Sequence, residues 1–490
     1  MRRKRLLASG MLVGLACVAS TWTAAARAED WPTVQHDMQR TGYAPTAPEP
    51  PYRLRWLWTN DAPVDLGEQK YEGHVPLEPL PEFFTARFKT CVQPVVAGGV
   101  AYLGSAEGHV YAIDVKTGQT QWKTAVGAGP ILHCVTVHEG AVYVAALDGV
   151  GAFDLNGKRQ WTFVDPHLGH FWACPAVADG LVLIGSDSGH FFGVDAKTGA
   201  AKWDFDAGAE ISQTPAVHDG AVYFGADNMH AYALTVTNGK LKWKSQRLGG
   251  YTFAHYWPVI AAKEKVVMFR TQSIGGCREA YDVVDKASFD YDAAQEALRQ
   301  HFAENPVGRS FFILNLSDGR ERLFLPSGQS GCSCDKMPPP IVLPDGRVLA
   351  AHLSKEGSFQ QTRSYSYWGN VNDWSIIDFQ QGRFRRLGPT GSRTQPASAR
   401  GDDFYQATVA GDYLFANHST HYGISKLFGE GKLPQVWRCR NLWREDLGKL
   451  GTNTHRIQGG LVSITPLDDV FLMTCHGGIC VAAFESAAEQ

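Results

Sequence analysis

Four stretches of this chain can be laid over one another, and that repeat restricts the fold more than any other feature. They are "GGVAYLGSAEGHVYAIDVKTGQTQWKT" from Gly98, "EGAVYVAALDGVGAFDLNGKRQWTF" from Glu139, "DGLVLIGSDSGHFFGVDAKTGAAKWDF" from Asp179 and "DGAVYFGADNMHAYALTVTNGKLKWKS" from Asp219. Their tryptophans, Trp122, Trp161, Trp203 and Trp243, stand 39, 42 and 40 residues apart. A period near 40 means stacked supersecondary units that bury their apolar faces against one another. Each unit reads as β-structure. Runs such as "AVYFGA" and "VYAID" are rich in Val, Tyr and Phe, and Asp-Gly, Glu-Gly and Thr-Gly turns punctuate them.

A short strand precedes the first turn ("PAVADG", "PAVHDG") and another ends in the tryptophan, giving four antiparallel strands per unit. That is a propeller blade, and the tryptophan is placed to wedge between neighbouring blades. Later blades are less regular. "KVVMFRTQS" from Lys265 and "SFFILNLSDGRERLF" from Ser310 form a fifth, and "PDGRVLAAHLS" from Pro344 with "WSIIDFQQGRFRRL" from Trp374 a sixth. "GDYLFANHS" from Gly411 through Trp437 is a seventh, and "DDVFLMTCHGGICVAAFES" from Asp468 is the middle of an eighth that lacks an outer strand. The N-terminal "YRLRWLW" (Tyr52 to Trp58) is an outer strand without a blade, and joining the two closes the ring and removes exposed edges. The expected fold is therefore an all-β, single-domain propeller over residues 29–490, eight-bladed with seven as the alternative. Regular repeats run from 98 to 245, and insertions fall near 61–90, 274–307 and 355–374. Within the second, Ser288 or Asp290 can cap a short helix with Ala294, Ala297, Leu298 and Phe302 on one side and Pro306 after its end.

At "YAIDVKTGQTQW" and "GVDAKTGAAKW" the sequence resembles the pyrroloquinoline-quinone (PQQ)-type propeller repeat, with its Ala-x-Asp-x-x-x-Gly-x-x-x-Trp core. The opening "DWPTVQHDMQRTGYAP" (Asp30 to Pro45) is similar to the lead-in of exported members of that superfamily. The resemblance implies the fold, and it leaves function between two groups: quinoprotein dehydrogenases and non-enzymatic propellers of the BamB type.

The ends and the composition narrow the setting. Arg2, Arg3, Lys4 and Arg5 precede an apolar run from Leu6 to Ala19, and Ala26-Arg27-Ala28 offers a cleavage site. Residues 1–28 read as a secretory signal peptide, with lipid anchoring at Cys17 the lesser alternative, so a periplasmic or secreted chain is expected. Without that segment the balance is 41 Lys+Arg against 49 Asp+Glu, a net charge near −8, and no basic stripe appears. Nucleic acid is thus an unsuitable partner. Nine cysteines then remain, an odd count whose connectivity spacing does not reveal.

Blade-entry loops crowd the mouth of a propeller's channel, and register places an unusual set there. Cys134 and Cys174 occupy the same position in successive units. With His133, His255, Cys332 and Cys334 they form a candidate soft-metal set, since thiolate and imidazole suit zinc, copper or iron. Thr214 fills the same register one unit later, so a small buried seat explains the cysteines equally, and a disulfide is a third reading. The turn histidines His109, His190 and His230 share another register.

The quinoprotein resemblance would make Trp172 or Trp257 the floor on which a quinone stacks, with Arg393 nearby, and would require calcium held by carboxylate and amide oxygens. No Cys-Cys dipeptide occurs, and Asp335 is the one carboxylate read at a blade-entry position. The leading expectation is an exported, non-enzymatic binding or scaffold propeller without a cofactor. It would meet a protein or carbohydrate through aromatic insertion residues Tyr365, Tyr367, Trp368 and Trp374. The alternative is a redox propeller using PQQ with calcium, or a soft transition metal, at the Cys/His-rich mouth.

Overall fold

The computed structural model describes residues 30–50, 52–59, 93–105, 107–254, 256–272, 283, 291–327, 338–354, 371–386, 406–418, 421–426, 436–438, 463–475 and 480–487. It is an eight-bladed β-propeller of four-stranded antiparallel blades. Blade 1 contains Val95–Ala97, Val100–Gly104, His109–Asp114 and Thr120–Ala125, and blades 2 to 4 repeat that order through Lys244. The first strands of successive blades are neighbours and line the axis. Blade 8 combines Ile464–Pro466, Val470–Cys475 and Cys480–Ser486 with the N-terminal strand Tyr52–Thr59, which pairs antiparallel with Cys480–Ser486. The ring therefore closes as the sequence pattern implies. In the same blade, Cys475 and Cys480 stand opposite each other in register.

The repeat motif can be read as contacts. The Asp114 carboxylate accepts from the Thr117 N–H and hydroxyl, both at 2.8 Å, tying the turn between the third and fourth strands. Gly118 takes φ +72°, a left-handed conformation that glycine adopts without steric cost. The tryptophan that ends the blade donates from Nε1 to the equivalent turn of the next blade: Trp122 to Leu155 O, Trp161 to Ala196 O, Trp203 to Val236 O and Trp243 to Leu316 O, at 2.8–2.9 Å. Each ring lies over that turn's glycine; a Cβ on Gly199 would stand 2.7 Å from Trp161. Trp56 does the same to Val115 O across Gly118, so the lock that joins blades 1 to 5 also joins blade 8 to blade 1.

The helix spans Tyr291–Glu304 and buries Ala294, Leu298 and Phe302, while Ala297 is only half-buried. Gln295 pins it to blade 6, accepting from Phe384 N at 2.7 Å and donating to Phe384 O at 3.1 Å. The insertion before blade 6's third strand is shorter than its sequence suggests, because that strand begins at Val371. Trp374 lies within it, 1% exposed, against Leu349, Ala351 and Leu414. It is a core residue rather than a partner-facing aromatic. Tyr365, Tyr367 and Trp368 lie outside the described residues, as do residues 1–28 with Cys17, and 61–90. Among the described residues no helix is long and apolar enough to cross a membrane.

The lead-in Asp30–Pro45 is an inner belt. Trp31 exchanges both backbone hydrogen bonds with Val96 of blade 1, and Val137 of blade 2 donates to Pro32 O. Val217 of blade 4 donates to Met38 O, Ile260 of blade 5 to Gln39 O, Val342 of blade 6 to Thr41 O and Val409 of blade 7 to Gly42 O. The segment thus circles the axis, with backbone bonds to blades 1, 2, 4, 5, 6 and 7, before crossing to blade 8. Turning so tightly requires left-handed φ at Gln35, His36 and Arg40, which non-glycine residues adopt at a cost. The ladder hydrogen bonds and the burial of Trp31, Thr33, Val34, Gln35 and Arg40 offset it.

Candidate functional site at the channel mouth

The register shared by Cys134 and Cys174 lies just outside the first strands, next to the belt. Both are buried thiols. Cys134 Sγ accepts from the backbone N–H of Gln93, its counterpart in blade 1, at 3.1 Å. The Cys174 N–H in turn donates to Thr214 Oγ1, its counterpart in blade 4, at 3.1 Å. The position thus holds a small polarisable or hydroxyl side chain that satisfies a neighbouring blade's amide. That need follows from burying backbone N–H groups at the axis.

Beneath these thiols sits Arg40. Its Nε donates to Pro215 O at 3.1 Å, and Nη1 donates to Thr33 Oγ1 at 2.7 Å, Val34 O at 3.1 Å and Asp37 O at 3.3 Å. Burial pushes the guanidinium below its ordinary value, and Cys174, Asp37 and Cys134 act in the opposite direction. The Asp37 carboxyl is held low by hydrogen bonds from His36 and Thr41, which outweigh its burial.

Carboxylates also gather at the mouth. Asp187 and Asp227 share the register after each blade's second strand, and Glu210 lies on the loop entering blade 4. Asp187 Oδ1 accepts from the His170 N–H at 2.6 Å, and Oδ2 accepts from Trp172 Nε1 at 2.9 Å. Asp227 accepts from the Thr252 hydroxyl at 2.9 Å and the Phe253 N–H at 3.2 Å. Burial, then Asp227 and Asp187, push the Glu210 carboxyl up to about 7, and burial raises Asp227 too. The single carboxylate read from sequence at this face thus understated its acidity.

Because the folded-state value of Glu210 is raised, the native state holds a proton there that the unfolded chain has released. Stability therefore falls as pH rises from about 4.5 towards 7, and the penalty is complete above that window. Solvent reaches the side chain, so the effect is modest. Glu210→Gln is expected to melt on the order of 1–3 °C above the unsubstituted protein at pH 8, with the difference vanishing near pH 4.5. Equal melting temperatures at pH 8 would contradict this placement.

The remaining candidates are dispersed. His133 is half-buried beside Cys134. Trp172 is half-buried and anchored by Asp187, whereas Trp257 is 4% exposed and packed in the same core cluster as Cys134 and Cys174. His255, Cys332, Cys334 and Arg393 lie outside the described residues. Of the two tryptophans that could floor a quinone, Trp257 is enclosed in the core and presents no open platform, whereas Trp172 is half-buried at the described mouth. The one convergent set of three His, Cys, Asp or Glu ligands among the described residues lies elsewhere, at His167, His190 and Asp204.

Blade geometry and motif together match the PQQ-type β-propeller repeat over the first blades of the ring. A family model described as outer membrane protein assembly factor BamB matches residues 55–170 and 149–278. The chain is 34% identical over 114 residues to the outer membrane protein assembly factor BamB of Burkholderia pseudomallei, covering 23% of this chain and 29% of that protein. It is 28% identical over 199 residues to the 1-butanol dehydrogenase (cytochrome c) of Thauera butanivorans, covering 37% and 26%. The matched stretches thus span less than a third of either relative. Among solved structures, the quinohemoprotein alcohol dehydrogenase of Comamonas testosteroni superposes with a TM-score of 0.57 at 14% identity, covering 96% of this chain and 82% of that one, a likeness of fold.

Proposed function

We propose that this chain is a non-enzymatic scaffold propeller of the periplasm or cell envelope whose mouth face binds a protein partner. The observation that carries the reading is the belt. Where a propeller enzyme would need an open axial pit, residues 31–44 run along the first strands at the axis, and Asp187, Glu210 and Asp227 lie on loops of the same face. Apolar side chains are also exposed: Leu168 is 89% exposed, Val164 60% and Val307 51%. Such residues rimming a carboxylate-lined face suit a partner segment that is basic and aliphatic. The stretches shared with assembly factors, and a leader with a basic head and an apolar core, support an envelope setting.

A second reading, a quinone-dependent oxidoreductase, is favoured by Trp172 held by Asp187 beside Glu210 and by the 199-residue likeness to an alcohol dehydrogenase. One pair of measurements separates the two. A photo-cross-linking residue at position 168 or 307, in cells, is expected to give a discrete protein adduct. Purified protein supplied with PQQ and calcium is expected not to oxidise alcohols or sugars. Turnover, or the absence of an adduct from both positions, would overturn the scaffold reading.

A further inference from the structure

We propose that His167, His190 and Asp204 form a site for a divalent transition ion of the zinc class, on the surface where blade 2 passes into blade 3. His167 lies on the connection after blade 2, whereas His190 and Asp204 lie on the third and fourth strands of blade 3. One ligand atom from each falls within 4.8 Å of the other two. His167 Nε2 is 2.9 Å from Asp204 Oδ2, and His190 Nδ1 is 3.3 Å from the same oxygen. A tetrahedral zinc bound at its usual distances of about 2.0–2.2 Å separates its ligand atoms by about 3.3 Å, so both contacts are already close to the required spacing.

The contact at His190 carries the argument further. Its Nδ1 is buried and lies close to the carboxylate, yet without the alignment of a hydrogen bond. A buried ring nitrogen in that condition is costly unless something else accepts its lone pair, and a metal ion does so. The two imidazoles are stacked, with centroids 3.5 Å apart and planes 10° from parallel, and both lie over Phe192. Because an imidazole donates in its ring plane, closing on an ion requires the two stacked rings to turn out of parallel.

The loop is held in place independently of any ion. Asp165 accepts from the Ser186 hydroxyl at 2.5 Å, the Ser188 hydroxyl at 2.6 Å and the His167 N–H at 2.7 Å. Two imidazoles and one carboxylate select a borderline ion such as Zn²⁺ over a hard one such as Ca²⁺. His167 and Asp204 are 39% and 45% exposed, so solvent reaches the cluster and a fourth position stays open to water or to a donor from another molecule.

The test is calorimetric titration of Zn²⁺ alone into the purified full chain and into His167→Ala, His190→Ala and Asp204→Asn, with thermal melts to confirm folding. The expected result is a one-to-one event in the unsubstituted protein that each substitution weakens at least tenfold; events at thiols elsewhere would be untouched by all three. His167 lies on an exposed loop, so its variant decides the matter even where His190→Ala fails to fold. The proposal is overturned if no one-to-one event occurs, or if that event keeps its affinity to within tenfold in any folded variant.

Discussion

Arg40→Ala is expected to destabilise the protein by about 3–5 kcal/mol, from interior acceptors left unsatisfied and a cavity left behind. Two effects oppose each other here. Removing a buried guanidinium relieves the cost of keeping a cation out of water, and where a hydrophobic side chain fills the space that relief can dominate. At this position it does not, because the fork organises the belt. Thr33, Val34 and Asp37 are drawn together at one nitrogen while Nε reaches across to Pro215 of blade 4. Truncation leaves the Pro215 and Val34 carbonyls in the interior without this donor, each worth about 1–3 kcal/mol if it stays unsatisfied, together with a cavity at the axis. Arg40→Lys should recover little, since one ammonium cannot serve both directions of the fork. Arg40→Met should recover only packing. Denaturant midpoints of the three variants check this ordering. A methionine variant as stable as the unsubstituted protein would show that volume, and not the guanidinium, holds the belt.

The same residue shows where sequence reading stops. Trp122, Trp161, Trp203 and Trp243 disclosed the blades because each fills the same contact against the next turn's glycine, so one physical requirement recurs at one spacing. The outer-strand pattern of Tyr52 to Trp58 beside an incomplete C-terminal blade implied eight blades, and the structure puts Trp56 in that same contact. The belt has no such periodicity. Its residues meet six of the blades through backbone groups, and backbone pairing leaves no mark on side-chain choice. Arg40 consequently looked like any polar residue of a Pro- and Gly-containing lead-in.

Candidate-site residues divide in the same way. The shared register of Cys134 and Cys174 was legible because it repeats, and their amide contacts with Gln93 and Thr214 repeat with it. Asp187, Glu210 and Asp227 sit on three different loops, and His167 and Asp204 are 37 residues apart; ring geometry alone unites each set. Trp374 was misassigned for a related reason. The polar, aromatic run before it carries no alternation, whereas the strand it joins is defined by pairing with Ser354 through Leu349 on the partner strand.

Trp58→Ala is expected to cost a further 3–5 kcal/mol or so, the range for truncating a buried aromatic, and to do so at the seam of the ring. Trp58 is 6% exposed on the strand Tyr52–Thr59. Its ring meets Tyr111 of blade 1 edge-on with centroids 5.0 Å apart, and Nε1 donates to Thr120 Oγ1 at 2.8 Å. Blades 1 to 4 follow one another along the chain, so loss of a wedge there leaves the neighbours tethered by a short connection. At the seam, the closing strand lies more than 400 residues from the strand it completes, and loop-closure entropy works against rejoining. Once Tyr52–Thr59 detaches, Cys480–Ser486 becomes an open edge, prone to pairing with another chain. Trp58→Ala should therefore lower the denaturant midpoint more than Trp122→Ala, whose ring is only partly buried. It should also speed amide exchange in Cys480–Ser486 ahead of the rest of the ring. If Trp122→Ala proves the costlier substitution, or if exchange at Cys480–Ser486 stays level with blades 2 and 3, closure is not the weak point of this propeller and its stability is shared evenly among the blade junctions.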